Sequence, residues 1–189
     1  RPVSRGAFLR EGWIVTRDGK EEKRILPVSE ITLPGLHNRE NVLAAAAAAR
    51  ILGVSPSRIR STVRAFRGLE HRLEPVGTIR GVSFINDSKA TTVDASLKAL
   101  ASFNRPVVLI LGGKDKGSDF HPLRKAVRKG VKSVVLVGAA KEKIRAALEG
   151  TVPLREAGTY ADVVRTAFAA AAPGDVVLLA PACTSWDMF

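Results

Sequence analysis

The chain has 189 residues, 46% of them apolar and 5% aromatic, with a formal net charge of +12; this is enough for one large or two small packed domains, and no apolar run is long enough to span a bilayer. A single cysteine, Cys183, excludes an internal disulfide and a thiolate metal cluster, and three scattered histidines argue against a zinc site. The charge is spread evenly, +6 over residues 1–70 and +6 over residues 71–189, so with few aromatics it forms neither a basic arm nor a base-stacking platform, which argues against nucleic-acid binding.

Residues 1–10 lack the apolar stretch of a signal peptide, and the chain is expected to be soluble and cytoplasmic. Ala7 to Arg17 alternates loosely and reads as one strand. The turn "RDGK" then predicts a hairpin into a second strand near Arg24 to Val28. A helix is predicted from about Asn38 through the alanine run to Gly53, with its small residues packed on a sheet, and a second from Ser57 to Phe66, after Pro56 and before Gly68.

From Leu69 to Arg72 onward the pattern changes. Short β-branched runs near Leu73–Thr78, Val82–Ile85, Val107–Leu111, Ser133–Val137, Val152–Arg155 and Val176–Ala180 alternate with helical stretches near Thr92–Ala101, Pro122–Arg128, Lys141–Leu148 and Tyr160–Ala171. Alternation of this kind predicts an α/β domain, a mostly parallel sheet with helices on both faces, and a domain boundary near residue 70. Ligands of such sheets bind beyond the carboxyl ends of the strands. There the sequence carries "NDSKATT", "GGKDKGSD" and "PACTSWD".

Read on their residues alone, these stretches leave alternatives open. Asp87 and Lys89 suit either an anion-facing rim or a solvated turn, with Ser88, Thr91 and Thr92 competing as the N-cap of the next helix. The lysines flanking Gly112 and Gly113 suit a carboxylate or phosphate beside a helix start, the glycines allowing close approach of a ligand. His71 and Arg72 suit either a phosphate contact or an interdomain salt bridge. Asn38 and Asn41, three apart, lie on one helical face, as caps or as readers of a base edge. No G-x-x-x-x-G-K-[ST], G-x-G-x-x-G or H-E-x-x-H motif is present.

The stretches "HNRENVLAAAAAAR", "GLEHRLEPVGTIRGVSFINDSKATTVDASLKAL", "LGGKDKGSDF" and "LLAPACTSWDMF" together resemble the bacterial Mur ligases, over Ile31 to Phe189, and among them those that add D-glutamate. The resemblance implies that residues 1–70 are the C-terminal part of the central ATP-binding domain and residues 71–189 a C-terminal Rossmann-like domain that binds the incoming amino acid. It implies an ATP-dependent, amide-forming step of peptidoglycan precursor synthesis, with UDP-N-acetylmuramoyl-L-alanine and D-glutamate as substrates and no membrane or nucleic-acid partner. By motif, Asn38 and Asn41 resemble the pair that reads adenine, Arg72 the arginine that reaches the nucleotide, Asp87 the aspartate on the ribose, and Lys89 a catalytic lysine near the phosphates. Thr91, Lys116 and Ser185 resemble the residues that hold the carboxylates of D-glutamate. Mg2+ is implied with ATP, its ligands lying outside this chain together with the phosphate loop, so the chain is expected not to ligate alone. A folylpolyglutamate synthase-like ligase and a non-catalytic nucleotide or amino-acid binding module are the alternatives.

Overall fold

In the computed structural model, which describes residues 4–184, the chain divides into two compact units, Arg1–Gly68 and Leu69–Phe189. The first unit is an antiparallel meander of β1 (Arg5–Arg10), β2 (Trp13–Asp18) and β3 (Glu21–Pro27), followed by a 3-10 turn at Val28–Glu30, helix α1 (Leu36–Ile51) and helix α2 (Pro56–Ala65). The stretch expected as one strand is two. Glu11 and Gly12 both have positive φ, 49° and 77°, the backbone of a tight two-residue reversal whose twist matches that of the strands it joins. A glutamate before a glycine is a weak turn signal, which is why alternation ran through it.

Both helices of this unit pack on its sheet, burying Val42, Ala46 and Ile59 against Ile14, Ile25 and Leu26. The alanine run supplies a narrower contact than expected: Ala46 is buried, whereas Ala44, Ala45 and Ala48 are exposed. Those exposed alanines serve helix propensity rather than packing. Helix α2 is capped by Ser55, whose Oγ accepts from the Arg58 N–H at 3.3 Å, and Pro56 opens its first turn.

The second unit is built on a six-stranded sheet ordered β4-β5-β9-β6-β7-β8. The strands are β4 (Glu74–Ile79), β5 (Val82–Asn86), β6 (Val107–Gly112), β7 (Val131–Val137), β8 (Leu154–Glu156) and β9 (Val176–Leu179). Helices α3 (Val93–Leu100), α4 (Leu123–Gly130), α5 (Lys141–Leu148) and α6 (Tyr160–Ala170) connect β5 through β9 in turn. All pairings in this sheet are parallel except β4 with β5, so the sheet is mostly parallel as expected. Only Arg80 and Gly81 separate β4 from β5, too few for a crossover, and their φ values of 49° and 79° form a hairpin turn.

Handedness places the helices. The chain steps outward through β6, β7 and β8, then returns to insert β9 between β5 and β6, and a right-handed crossover in the reverse direction must fall on the other face. Leu109, Leu111, Val134, Leu136 and Leu178 accordingly pack with α3, α4 and α5, while Val108, Ile110, Val135 and Val177 pack with Val163 and Ala167 of α6. Strands buried on both faces carry continuous apolar runs, as "VVLILG" and "VVLL" do. The single helix α6 leaves a groove of about 640 Å³ beside β4 and β5, lined by Ile79, Phe84, Val164 and Leu179 among others. Both outer strands are short or interrupted: β8 has three residues, and β4 contains Pro75 and a register shift between Pro75 and Gly77.

The return into β9 is fixed by the turn "PGD". Asp175 is buried, its carboxylate accepts from Lys132 Nζ at 2.9 Å and from the Ala172 N–H at 2.8 Å, and its backbone carbonyl accepts from the Ser83 N–H. Burial alone pushes the Asp175 carboxyl upward, but the hydrogen bonds and the charge of Lys132 outweigh it and hold it below the usual carboxylate range. A carboxyl whose folded value is lowered contributes stability that is present above its unfolded value, about 3.9, and lost as pH falls through its folded value. Asp175→Asn is therefore expected to destabilise the protein at pH 7 by about 1 to 3 kcal/mol. Urea denaturation of both proteins should show the difference shrinking steadily below about pH 4; a gap independent of pH would mean that the ionised pair contributes nothing.

Candidate functional site

The carboxyl ends of β5, β9 and β6 lie side by side, and the segments leaving them are tied together by main-chain bonds. The Asp87 N–H donates to the Leu179 carbonyl at 2.8 Å, and the Ala182 N–H donates to the Ala90 carbonyl at 2.8 Å. On the other side the Gly112 N–H donates to the Pro181 carbonyl at 3.0 Å, and Lys114 and Thr184 form an isolated antiparallel bridge with bonds of 2.8 and 3.1 Å. Residues 180–184 are thus held between the segment after β5 and the segment after β6. Ser96 of α3, fully buried, adds a third tie: its Oγ donates to the Ala180 carbonyl at 2.9 Å and lies 3.4 Å from that of Ala90.

Glycine has a different role here from the one expected. A Cβ on Gly112 would stand 1.8 Å from the Val137 carbonyl oxygen, and one on Gly113 2.3 Å from that of Thr184, with φ near +130° at both. Neighbouring backbone, not a ligand, occupies the space a side chain would need. The flanking lysines do not stand at a helix start either, since α4 begins only at Leu123.

The segment "NDSKATT" is an ordered turn. Asn86 Oδ1 accepts from the Ser88 N–H at 3.0 Å, the Ala90 N–H donates to the Asp87 carbonyl at 2.8 Å, and the Lys89 N–H donates to the His71 carbonyl at 3.1 Å. His71 has a φ of 65°, and its own N–H donates to Glu74 Oε2 at 2.9 Å; that oxygen is also 3.2 Å from Asn86 Nδ2. These bonds fasten the approach to β4, with Arg72 exposed beside it, to the turn that carries Asp87 and Lys89. The competition among hydroxyls is resolved: Thr92, extended at φ −129°, caps α3, its Oγ1 accepting from the Ala95 N–H at 3.2 Å.

Of the residues singled out from sequence, Asp87, Lys89, Thr91 and Lys116 fall at the ends of β5 and β6, flanking the exit of β9. The Lys89 and Lys116 side chains are exposed and Thr91 is half-buried. Ser185 lies outside the described residues. Asn38 and Asn41 belong to the first unit, in the opening turns of α1, where Asn38 Nδ2 donates to the Pro34 carbonyl at 2.7 Å and Asn41 Nδ2 to Asn38 Oδ1 at 3.2 Å. Each amide nitrogen carries a second hydrogen, and Asn41 Oδ1 remains an acceptor, a set of the kind that pairs with a base edge. Sequence reasoning missed Ser96 and Thr184. A serine on the apolar face of "VDASLKAL" was the available signal for the first. Among the described residues there is no group of three or more His, Cys, Asp or Glu able to hold a metal ion, and no helix long and apolar enough to cross a membrane.

Comparison with known proteins places this arrangement. The family model described as "Mur ligase, glutamate ligase domain" matches residues 71–183. The UDP-N-acetylmuramoylalanine–D-glutamate ligase of Acidobacterium capsulatum is 55% identical over 191 residues, which take in 100% of this chain and 41% of that protein. Its counterpart from Desulfitobacterium hafniense is 50% identical over 189 residues, 99% of this chain and 42% of that protein. The chain thus spans about two fifths of the length of these curated relatives. Among solved structures, a UDP-N-acetylmuramate–alanine ligase from Thermotoga maritima aligns with a TM-score of 0.68 at 18% identity, covering 90% of this chain and 39% of that one. A MurF ligase from the same organism, in complex with ADP, aligns with a TM-score of 0.60 at 15% identity over 92% of this chain and 41% of that one. At such identities the structural likeness shows the fold alone.

The cap assignment gives a stability test. Thr92→Ala is expected to lower the unfolding free energy by about 0.5 to 2 kcal/mol, while Thr91→Ala leaves it unchanged. Denaturant melts of the two variants check this; the reverse order would make Thr91 the cap.

Proposed function

Because the chain belongs to the Mur ligase family, through its glutamate ligase domain, we propose that it works as part of an ATP-dependent ligase of peptidoglycan precursor synthesis that joins D-glutamate to UDP-N-acetylmuramoyl-L-alanine. The observation that supports this best is the gathering of "NDSKATT" and "GGKDKG" at neighbouring strand ends, in a chain about half identical, along its length, to D-glutamate ligases.

In this reading residues 1–70 are the C-terminal part of the central ATP-binding domain and residues 71–189 the amino-acid-binding domain. The substrate carboxylate takes the γ-phosphoryl group of ATP with loss of ADP, and the amine of D-glutamate attacks the resulting acyl phosphate. The tetrahedral intermediate then expels phosphate and leaves the amide. Phosphorylation supplies the leaving group, and the protein supplies position and charge.

Each unit contributes by itself. In the first, the amides of Asn38 and Asn41 serve the adenine edge. In the second, Asp87 takes the ribose hydroxyls, Lys89 and Arg72 the phosphates, and Thr91, Lys116 and Ser185 the two carboxylates of D-glutamate. The Lys116 ammonium and the Thr91 hydroxyl, on a rim held by main-chain bonds, suit a carboxylate ligand, since little reorganisation accompanies its arrival. Magnesium accompanies ATP in this family, and among the described residues no group of three or more His, Cys, Asp or Glu could hold it.

The roles of the two strand ends separate in kinetics. In the full-length enzyme, Asp87→Ala is expected to raise the KM for ATP about tenfold or more, the loss of a charge-assisted hydrogen bond, and to leave that for D-glutamate unchanged. Lys116→Ala and Thr91→Ala should do the converse. Equal effects on both substrates, or turnover of L-glutamate in place of the D enantiomer, would refute the assignment.

A further inference from the structure

We propose that Lys143 is a positioning residue for the amino-acid site: by pairing with Asp115 it holds the turn of residues 113–119 and keeps Lys116 available to the incoming dicarboxylate. The inference rests on the placement of D-glutamate at Lys116 proposed above.

The turn "GKDKGSD" sets Asp115 directly beside Lys116 and adds a second acid at Asp119. A lysine flanked by aspartates tends to pair with them, and their charge repels an anionic ligand. In the structure neither acid is left to do so. Asp115 Oδ2 is 2.6 Å from Lys143 Nζ, and its Oδ1 accepts from the Ser118 N–H at 2.8 Å. Asp119 Oδ1 accepts from the His121 N–H at 3.0 Å and faces His121 Nδ1 at 2.7 Å. Lys116, by contrast, is exposed and enters no ion pair among the described residues.

Lys143 is itself well placed to anchor. It belongs to α5, whose Ile144, Ala147 and Leu148 are buried in the core, and its ammonium stands 5.7 Å from the ring centroid of Phe120, which is also buried. Cation–π attraction and the ion pair thus fix one ammonium from two sides. The Asp115 side chain is only 19% exposed against 50% for Lys143, so the pair is partly shielded from water. The hydrogen bond from Lys143 holds the Asp115 carboxyl below its usual range despite burial, with help from the Ser118 and Lys116 backbone N–H groups. The turn is therefore tied at its start by the Lys114–Thr184 bridge, at its end by Phe120 and in its middle by Lys143. Without Lys143, Asp115 is free to turn onto Lys116.

The test uses the full-length ligase and steady-state kinetics for each substrate, with melting curves alongside. Lys143→Met is expected to raise the KM for D-glutamate about tenfold, with kcat and the KM for ATP little changed. Lys143→Arg, which still reaches Asp115, should restore it. Lys116→Ala is the control on the underlying reading. If Lys116→Ala raises the KM for D-glutamate and Lys143→Met does not, the positioning role is wrong and the site stands; if Lys116→Ala is silent, the site assignment falls and the inference with it. A lowered melting point in Lys143→Met with both KM values raised alike, unrescued by arginine, would make the residue structural and overturn the proposal.

Discussion

Five residues of main chain, 180–184, hold the rim of the second unit together. They leave β9 between two other strand ends and have no room of their own: Pro181 and Thr184 bond toward β6, Ala182 bonds toward the segment after β5, and Ser96 closes the space beneath. Ala182 takes a left-handed φ of 56° while buried, a conformation that strains any residue with a Cβ by about 1 kcal/mol or more and that the smallest such side chain tolerates best. The strain is offset by bonds that no relaxed path would make. Because the loops bearing Asp87 and Lys116 are both stitched to this one segment, their separation is set by backbone rather than by side-chain packing.

The glycines follow from the same crowding. Gly112, Gly113 and Gly138 meet where β6 and β7 end, and a Cβ on Gly138 would come within 2.7 Å of Gly113 Cα. Close approach of main chain to main chain lets the turn after β6 begin against β9 and the start of α5 lie near it, where Lys143 meets Asp115. Geometry that looks like a ligand cradle in the sequence is in fact a joint of main chain, from which the turn bearing Asp115 and Lys116 departs. Charge is then distributed over a frame already rigid.

Local signals in the chain told most of the second unit. Alternating β-branched runs and helical segments gave its strands and helices to within a few residues, because strands buried on both faces must be uniformly apolar. The polar segments at strand ends were legible as segments because the apolar runs stop there, but turns and helix caps use the same residue types, as Asn86 and Thr92 do. Strand order was not legible, since nothing local to β9 says that it returns between β5 and β6. The reversals at Glu11–Gly12 and Arg80–Gly81 were missed because a charged residue before glycine marks a turn less strongly than asparagine or aspartate does. The partnership of Asp115 with Lys143 spans 28 residues and two elements, beyond any window in which spacing carries information.

The two outer strands of the large sheet have a bearing on how the chain behaves in company. Hydrogen-bonding groups along a sheet edge recruit other strands when they present a long, regular row. Here one edge stops after three residues, preceded by Pro153, and the other contains Pro75, which lacks an N–H, next to a shift in register. A second molecule arriving edge-on finds no evenly spaced ladder on either side. Growth of the sheet from chain to chain, the first step toward ordered aggregates, is thereby discouraged by backbone chemistry alone, even with Val76 and Ile79 exposed on the same strand.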